Sequence, residues 1–522
     1  MLSQIVMTIK GLVLITLAVY GFAALLPKED AAWVRRAPLW ILLSMFAIGM
    51  WGHNAWVAYF ALLVALPIAA KSRADAAALY CILSVSLPQM LMKTFWGSLY
   101  LLTISKYLFC ALGLGLAFLL KRGSGSFSLK GSRFDIPILI IVVLELAQAR
   151  DPSITATLRQ SLPTLLTILL PYLLLSRALT RPEDIRRFLL ALTLAGFVMA
   201  AVATVEARLH WLIYKQIEGL LDLHTQINAY HKMRAGMIRA PASFPESTSL
   251  GTFLAIAAMA ALAVRTSFAS PAKWGVVLVV LLLGLMSASS RGAILAVGIG
   301  LIAWDFFLRR YGALAAKIVG AGGIYLLALT AAQFSQFFAA MVGKSGGAQE
   351  TTDYRYLLLR RGLEEIRKHP VLGQNLKTAL DNLQDLRQGE GIIDLVNGYI
   401  NYGLTLGYMG IVGLILVFAS LALAMFAARR MLRRNPALIQ PAACVFSVAV
   451  FSIFNSFFTA FGGVGSTSFY QICAVGAAVW AIRGMAPVSA TVSGTRGQPL
   501  SSLAALIATD RERAKTNAPV PI

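Results

Sequence analysis

The sequence predicts an all-α polytopic integral membrane protein with roughly 12 to 15 transmembrane helices. Its 522 residues are 58% hydrophobic and only 13% charged, and a mean hydropathy of +0.73 is far above that of an ordinary soluble chain. Apolar stretches long enough to cross a hydrocarbon core recur from Gly11 to Ala481, and each ends in a charged or Pro/Gly-rich connector. The membrane part therefore takes up nearly the whole chain.

The N-terminal helices, in residues 1–120, are expected to include the first apolar run as a permanent span. No strongly basic segment precedes that run, and it reaches Pro27–Asp30 without a small-residue cleavage site. The four cysteines include no CxxC pair and all lie inside apolar runs: Cys81, Cys110, Cys444 and Cys473. We expect them to pack as small core residues and not to form a disulfide framework.

Basic residues mark every second connector. The clusters lie in residues 121–133, 177–187, 265–273, 309–317 and 429–434. Under the positive-inside rule these connectors are cytoplasmic, and those between them face the opposite side. Topology thus explains the formal net charge of +23, and no nucleic-acid partner is expected. The alternation also predicts a cytoplasmic tail at 484–522, whose Ser, Thr, Pro and Ala content favours disorder.

Two long loops are predicted on the outer side. The central helices, 134–333, contain the outer loop 206–245, and a larger outer loop, 334–396, precedes the C-terminal helices, 397–483. Loops of about 40 and about 60 residues are usually functional or disordered, and their composition favours function. In the larger loop, apolar residues recur at helical spacing before Pro370 ends the pattern: Tyr356, Leu359, Leu363 and Ile366. This pattern predicts an amphipathic helix over the outer membrane face.

Arg291 stands between two apolar runs in the stretch SASSRGAILAVGIG, on a short outer connector where arginine is disfavoured. It is either an interfacial anchor whose head reaches water or part of a site. Arg239 precedes another span on the same side, and Arg355 opens the amphipathic helix. Each alone is typical of a solvated loop charge. Together they predict a site for a lipid-linked phosphate or diphosphate, because a guanidinium matches phosphate geometry and keeps its charge.

The larger loop returns to the membrane through a cluster of polar residues. Asp394 is a candidate general base, but Asp394 and Asn397 are equally typical helix caps. Tyr399 follows them, and Glu246, in the stretch FPESTS of the other outer loop, has the same ambiguity. Tyr399 and Glu246 are candidates for positioning an acceptor.

Metal and nucleotide chemistry find little support in the residue spacings. The five histidines show no paired-ligand spacing and the acids no DxD cluster, so neither a metal nor another cofactor is expected. His224 and His231, on the outer side, are candidates for proton carriers or for plain loop surface. A P-loop, a dinucleotide fingerprint and a GxSxG elbow are also absent from the sequence.

Three motifs in order resemble the O-antigen ligase and polysaccharide polymerase superfamily, the WaaL-like ligases and Wzy-like polymerases. They are SRGA after an apolar run (290–293), Arg239 followed by Ser-Phe-Pro (243–245), and LEEIRKHPVLGQN followed by DLVNGYINYGLTLGYMGIVGL. The resemblance covers roughly residues 160–430. It implies a bacterial inner-membrane glycosyltransferase, independent of metal and nucleotide, that moves a glycan from undecaprenyl diphosphate to a sugar hydroxyl on the periplasmic face.

The resemblance also implies roles for the candidate residues. Arg239, Arg291 and Arg355 would hold the departing diphosphate, and a base near the loop's return would activate the acceptor hydroxyl. The implied partners are the lipid-linked donor, a glycan acceptor and the bilayer, with a chain-length regulator and a flippase as further candidates.

One departure from the ligase pattern bears on the reaction. WaaL-like ligases carry a His-Asn pair where this chain has Val396-Asn397, so either Asp394 replaces the histidine or positioning suffices. The departure favours polymerisation of repeat units, for an exopolysaccharide, a capsule or O-antigen, over ligation to lipopolysaccharide or protein. A lipid-linked glycan flippase or transporter is the alternative of another class, although transporters tend to show internal repeats and charges near the bilayer midplane. A non-enzymatic scaffold ranks last.

Overall fold

The computed structural model describes residues 2–123, 132–149, 153–221, 223, 233–234, 237–335, 339, 347–387, 393–462 and 466–484. Statements about the structure concern these residues. The tail beyond 484 and the two candidate proton carriers, His224 and His231, lie outside them.

The N-terminal part contains six helices and a hairpin. The elements are α1 (Leu2–Ala24), α2 (Lys28–Val34), α3 (Ala37–Trp51), α4 (Ala55–Ala69), α5 (Arg73–Val85), β1 (Leu91–Trp96), β2 (Leu99–Ser105) and α6 (Lys106–Leu120). Side-chain caps start three of the helices, because Asn54, Ser72 and Ser105 accept backbone N–H groups of the first turns. The antiparallel pair β1–β2 turns at Gly97, whose φ is +60°. An all-helical expectation missed this hairpin.

The central part is a set of long helices. The elements are α7 (Asp135–Gln148), α8 (Ile154–Thr164), a π-helical turn (Leu165–Leu169), α9 (Leu170–Ala178), α10 (Pro182–Leu209), α11 (Ile213–Leu220), β3 (Met233–Arg234), β4 (Met237–Ile238), α12 (Ser247–Ala263), a 3₁₀ turn (Arg265–Ser267), α13 (Pro271–Ala288), α14 (Arg291–Leu308) and α15 (Tyr311–Phe334). In α10, 83% of the most apolar stretch is buried, whereas α15 buries none of its residues. Helix α10 is therefore central, and α15 stands at the edge.

The C-terminal part begins with the larger loop. The elements are α16 (Gly347–Lys368), α17 (Leu376–Asp381), a 3₁₀ turn (Gln384–Leu386), α18 (Gly398–Leu432), α19 (Pro436–Asn455) and α20 (Thr467–Ile482). Helix α18 is broken at Gly407, where φ is 64° and ψ is −157°. The loop packs into this break, because Tyr408 N donates to Pro370 O at 2.7 Å and Gln374 N to Leu404 O at 2.9 Å. The break fixes the loop against the start of α18.

The helix expected in the larger loop is present, but its buried face differs from the expected one. Leu358 and Ile366 are buried, whereas Tyr356 is 70% and Leu359 37% exposed. The buried face packs on a small core formed by α17, the following turn and the start of α18: Ala379, Leu383, Leu386, Ile400 and Leu404. Tyr356 and Leu359 thus lie outside this core, whose place helical spacing alone does not give.

Nine helical stretches among the described residues are long and apolar enough to cross a membrane, and four shorter apolar helices accompany them. Helices dominate the described chain, and its strands form two small hairpins. The prediction of an all-α polytopic membrane protein is confirmed.

Candidate functional site

Several helix ends meet at one end of the bundle, here called the site end. Helices α12, α14, α18 and α20 begin there, and α10, α13 and α19 end there. Arg291 is the first residue of α14 and is half-buried. Its neighbour Gly292 lies against Phe458, since a Cβ built on this glycine would be only 2.5 Å from the phenylalanine's Cβ. This close packing joins the start of α14 to the turn after α19.

Arg355 reaches the same phenylalanine from the larger loop. Its Nη2 donates to Phe458 O at 3.2 Å, and its guanidinium carbon lies 5.6 Å from the centre of the Phe458 ring. A cation over an aromatic face is attracted to the ring. The structure therefore brings Arg355 and the helix start that carries Arg291 together on Phe458, residues that are far apart in sequence.

Arg239 lies in the segment that connects β4 to α12, and that segment is tied at three points. Ala240 N donates to Ser287 O at 3.1 Å, three residues before the N-cap of α14. Ala242 N donates to the buried Glu206 Oε2 at 2.9 Å, and the buried Lys106 Nζ donates to Ser243 O at 3.4 Å. These ties hold the Arg239 segment beside the α13–α14 connection, on the same end as Arg291 and Arg355.

The residues at the loop's return have separate structural roles. Asn397 caps α18, because its Oδ1 accepts from Tyr399 N and Ile400 N at 3.0 and 3.2 Å. The Tyr399 hydroxyl donates to Ile453 O at 2.7 Å, which ties α18 to α19. Asp394 is not the cap residue. Instead, the backbone N–H of Asp394 donates to the Tyr354 hydroxyl, and that hydroxyl donates to the backbone O of Asp394, both at 3.0 Å. Asp394 is partly exposed.

Glu246 precedes α12 and borders a polar cavity at the site end. Its Oε2 accepts from the Thr248 hydroxyl at 3.0 Å, and its side chain is exposed. The cavity is open to solvent, and the space between its walls, including that open part, is about 520 Å³. Its described lining residues come from α12, the end of α19, the turn after it and the start of α20: Glu246, Thr248, Ser249, Thr252, Ile256, Ser452, Asn455, Ser456, Thr459, Ala460, Phe461, Ser466, Ser468 and Phe469.

The sequence reasoning missed this hydroxyl cavity, as we call it from those lining residues, although a signal was present. Four polar residues recur at positions i, i+3, i+4 and i+7 across the end of α19 and the turn that follows it: Ser452, Asn455, Ser456 and Thr459. Such spacing places them on one helix face. A polar stripe on a membrane helix indicates a shared partner or cavity, because unsatisfied polar groups are costly there.

Glu145, on α7, was missed as well. The Tyr402 hydroxyl donates to its Oε1 at 2.6 Å, and Gly462, with φ of +122°, packs against the same carboxylate. The signal was an acid inside the apolar run DIPILIIVVLELAQ, since an ionisable residue in a membrane helix is a site candidate by default. Gly462 N donates to Ser466 Oγ at 3.0 Å, so Glu145 lies close to the cavity wall.

Charged pairs hold the larger loop together away from these contacts. Arg361 bonds Glu364 at 2.9 Å and Asp385 at 2.8 Å. Glu365 is buried and accepts hydrogen bonds from three residues: Lys368, Gln374 and Asn382, at 2.6, 2.7 and 2.7 Å. Burial alone would raise the pKa of Glu365, but these hydrogen bonds outweigh it and hold that pKa below its ordinary value.

The fold and the site end define a multi-pass membrane protein that gathers arginines and a neutral polar cavity at one end of its bundle. Residues 276–415 match the family model described as O-antigen ligase. This match supports the resemblance to the O-antigen ligase and polymerase superfamily that the sequence motifs indicate. The matched segment contains Arg291, Arg355, Asp394, Asn397 and Tyr399, whereas Arg239 and Glu246 precede it. The chain matches no curated protein.

Among the described residues, no group of three or more His, Cys, Asp or Glu side chains is arranged to hold a metal ion.

Proposed function

We propose that the protein polymerises undecaprenyl-diphosphate-linked repeat units on the periplasmic face of the bacterial inner membrane, for an exopolysaccharide, a capsule or O-antigen. The observation that carries the proposal is the meeting of Arg355 and the start of α14 on Phe458. The tie between Ala240 and Ser287 adds the Arg239 segment to the same end. Three arginines at one end of a helix bundle suit a lipid diphosphate whose polyprenyl tail lies among apolar helices.

The chemistry requires no input of energy at the site. The acceptor hydroxyl oxygen attacks the anomeric carbon of the donor, a new carbon–oxygen bond forms, and the bond from that carbon to the diphosphate oxygen breaks. The departing undecaprenyl diphosphate takes the electron pair. Fixed guanidinium groups stabilise this developing charge more strongly than water does, because they need no reorganisation. Arg239, Arg291 and Arg355 are proposed for this role.

Asp394 is proposed to take the proton of the acceptor hydroxyl. Its backbone is fixed by Tyr354, which precedes Arg355 on α16. One short helix segment thus contacts both the proposed base and the arginine cluster. Asn397 and Tyr399 act on the acceptor indirectly, by fixing the start of α18 through the cap and the bond to Ile453. Glu246, at the cavity rim, is proposed to position the acceptor.

The position of the helix break argues against a transporter. Transporters place broken helices near the bilayer midplane. Here the break at Gly407 packs against the loop turn at Pro370. The part of α18 after the break, Tyr408 to Leu432, measures about 37 Å at 1.5 Å per residue. This length crosses a hydrocarbon core of about 30 Å without the segment before the break.

Reconstitution tests the proposed function. The purified protein is placed in liposomes with an undecaprenyl-diphosphate-linked repeat unit, without metal or nucleotide, and glycan length is read on gels. We expect a ladder of lengthened lipid-linked products. Transfer only after addition of lipid A-core or a protein acceptor would replace the polymerase by a ligase. Movement of the donor across the bilayer without any transfer would replace it by a flippase.

A further inference from the structure

The hydroxyl cavity is chemically distinct from the arginine contacts beside it. Most of its described lining residues carry hydroxyl or amide groups, and none of them is a lysine or an arginine. The remaining wall is apolar apart from Glu246 at the rim, and it includes Phe461 and Phe469, whose ring centres lie 5.3 Å apart in an edge-on arrangement. Neutral hydrogen-bonding groups combined with aromatic rings suit a neutral polar ligand and not an anion.

Asn455 provides a second observation. It is 5% exposed, and its Nδ2 donates to Thr252 Oγ1 at 3.1 Å and to Thr459 Oγ1 at 3.0 Å. Its Oδ1 is buried without a hydrogen-bond partner among the described atoms. A buried acceptor without a donor is costly. The arrangement indicates that a donor from outside the described side chains completes this wall.

The cavity adjoins the contacts that hold the proposed catalytic groups. Thr252 follows Gly251, where an added Cβ would lie 2.9 Å from the Cβ of Ser290, the residue before Arg291. Thr459 follows Phe458, the residue that Arg355 contacts. Ser456 O and Thr459 O both accept from Gly398 N, at 2.7 and 3.1 Å, next to the Asn397 cap. The first two contacts are one residue away from the cavity wall, and the third is made by wall residues themselves.

We propose that the hydroxyl cavity binds the sugar attached to the lipid diphosphate and thereby selects the glycan. This inference rests on the proposed function. A sugar diphosphate has a charged part and a neutral, hydroxyl-rich part, and the site end offers arginines for the first and a neutral cavity for the second. The hydroxyl hydrogens of Thr252 and Ser456 are already donated to Thr248 O and Ser452 O. Sugar hydroxyls would therefore donate to Asn455 Oδ1 and to the hydroxyl oxygens of Thr252 and Ser456. The C–H face of the ring packs on the aromatic wall.

Protection from thiol labelling tests this assignment directly. The four native cysteines are all buried, so a Thr248→Cys variant places one reactive thiol at the cavity, and Ser335→Cys, at the end of α15, serves as control. Labelling rates are compared with undecaprenyl diphosphate carrying a short oligosaccharide and with bare undecaprenyl diphosphate. At ten times its dissociation constant the sugar-bearing lipid should slow labelling of the cavity thiol about tenfold. The bare lipid and the control thiol should show no change.

The outcomes separate the two proposals. Unchanged labelling with the sugar-bearing lipid, in a protein that still makes a ladder, overturns the cavity assignment and leaves the proposed function standing. Equal protection by the bare lipid also overturns it, because the cavity would then hold the lipid diphosphate. Protection by the sugar without any transfer would reject the proposed function and retain the sugar site. Neither protection nor transfer rejects both.

A matched pair of substitutions provides the second measurement. Thr252→Val keeps the side-chain shape but removes the hydroxyl that accepts from Asn455. The control, Ser447→Ala, removes a buried hydroxyl on α19 that lies two turns before Asn455 and outside the cavity. We expect Thr252→Val to raise the KM for the sugar-bearing donor several-fold and Ser447→Ala to leave it unchanged. Equal effects, or no effect of Thr252→Val, would contradict the sugar site.

Discussion

The two halves of α16 use the same residue type in different ways. Near its start, Arg355 bonds the carbonyl of Phe458 and lies over its ring, in the membrane bundle. Six residues later, Arg361 bonds Glu364 and Asp385 within the loop. The first half joins the loop to the site end, and the second half folds the loop on itself. The role of an arginine on this helix therefore depends on which residues its position lets it contact, because the residue type is the same in both halves.

The comparison extends to the carboxylates of the loop and its return. Tyr354, in the first half, fixes the backbone of Asp394, whose side chain stays partly exposed. Glu365, in the second half, is buried under three hydrogen bonds. A buried carboxylate saturated with donors has a structural role, whereas a partly exposed carboxylate can be reached by a substrate hydroxyl, as proton transfer requires. Substitutions in the first half of α16 should therefore lower turnover, whereas those in the second half should destabilise the loop.

Replacement of Arg291 should have the largest effect. Arg291→Ala removes fixed positive charge at the departing diphosphate, and losses of about 10²–10³-fold are typical for one such donor. We expect polymer formation in liposomes to fall by that factor or below detection, with the protein present at a normal level. Arg291→Lys should recover part of the activity, because it keeps the charge but loses the two-point geometry. Normal polymer length and yield in Arg291→Ala would reject the diphosphate assignment.

Asp394→Asn should have the second largest effect. General-base catalysis contributes roughly 10²–10⁴-fold, so we expect turnover to fall by at least about 10²-fold while protection by the sugar-bearing lipid persists. Tyr354→Phe is the companion variant, since it keeps the ring and removes the hydroxyl that fixes the Asp394 backbone. Tyr354→Phe should reduce turnover less than Asp394→Asn does, because the carboxylate is kept. Unchanged turnover in Asp394→Asn would mean that positioning suffices and that this carboxylate is no base.

The pair Arg355→Ala and Arg361→Ala tests the two halves of α16 against each other. Arg355→Ala should lower turnover by about 10- to 100-fold, because one of the three arginines proposed to hold the diphosphate is lost. Arg361→Ala should leave turnover nearly unchanged, because exposed ion pairs contribute little. Turnover is measured in the same liposome assay at equal protein. A larger loss from Arg361→Ala than from Arg355→Ala would reverse the assignment of the halves.

The sequence predicted the membrane class and the shared side of the arginines because both depend on composition and on charge alternation along the chain. It predicted a helix in the larger loop but not which face packs on the small core, since that core comes from residues beyond Pro370 and from α18. The polar stripe near the end of α19 is visible in the sequence. The hydroxyl cavity, however, forms only where α12 packs beside α19, and no local pattern predicts that packing. The local sequence at Asn397 is typical both of a helix cap and of a site residue, and the cap geometry appears only once α18 is folded.

The smallest predicted effect concerns acid and the second half of α16. The hydrogen bonds from Lys368, Gln374 and Asn382 hold the pKa of Glu365 below 4.5 in the folded loop. A carboxylate with a lowered folded pKa stabilises the fold fully above its unfolded pKa, and this contribution disappears as pH falls through the folded value. Hydrogen exchange of the α16 amides, corrected for the intrinsic pH dependence, should therefore accelerate below about pH 4.5.

Glu365→Gln provides the control for that measurement. The amide cannot titrate, so the acid-dependent part of the acceleration should vanish, while exchange at neutral pH becomes faster because charge-assisted hydrogen bonds are lost. Turnover at neutral pH should change less than in Arg355→Ala. If acid loosened the loop equally in both proteins, another carboxylate would control it, with Asp385 beside Arg361 as the next to test. Glu365 would then not control the acid-dependent opening of the loop. The difference between the two halves of α16 would be supported only by the contacts of Arg355 and Arg361.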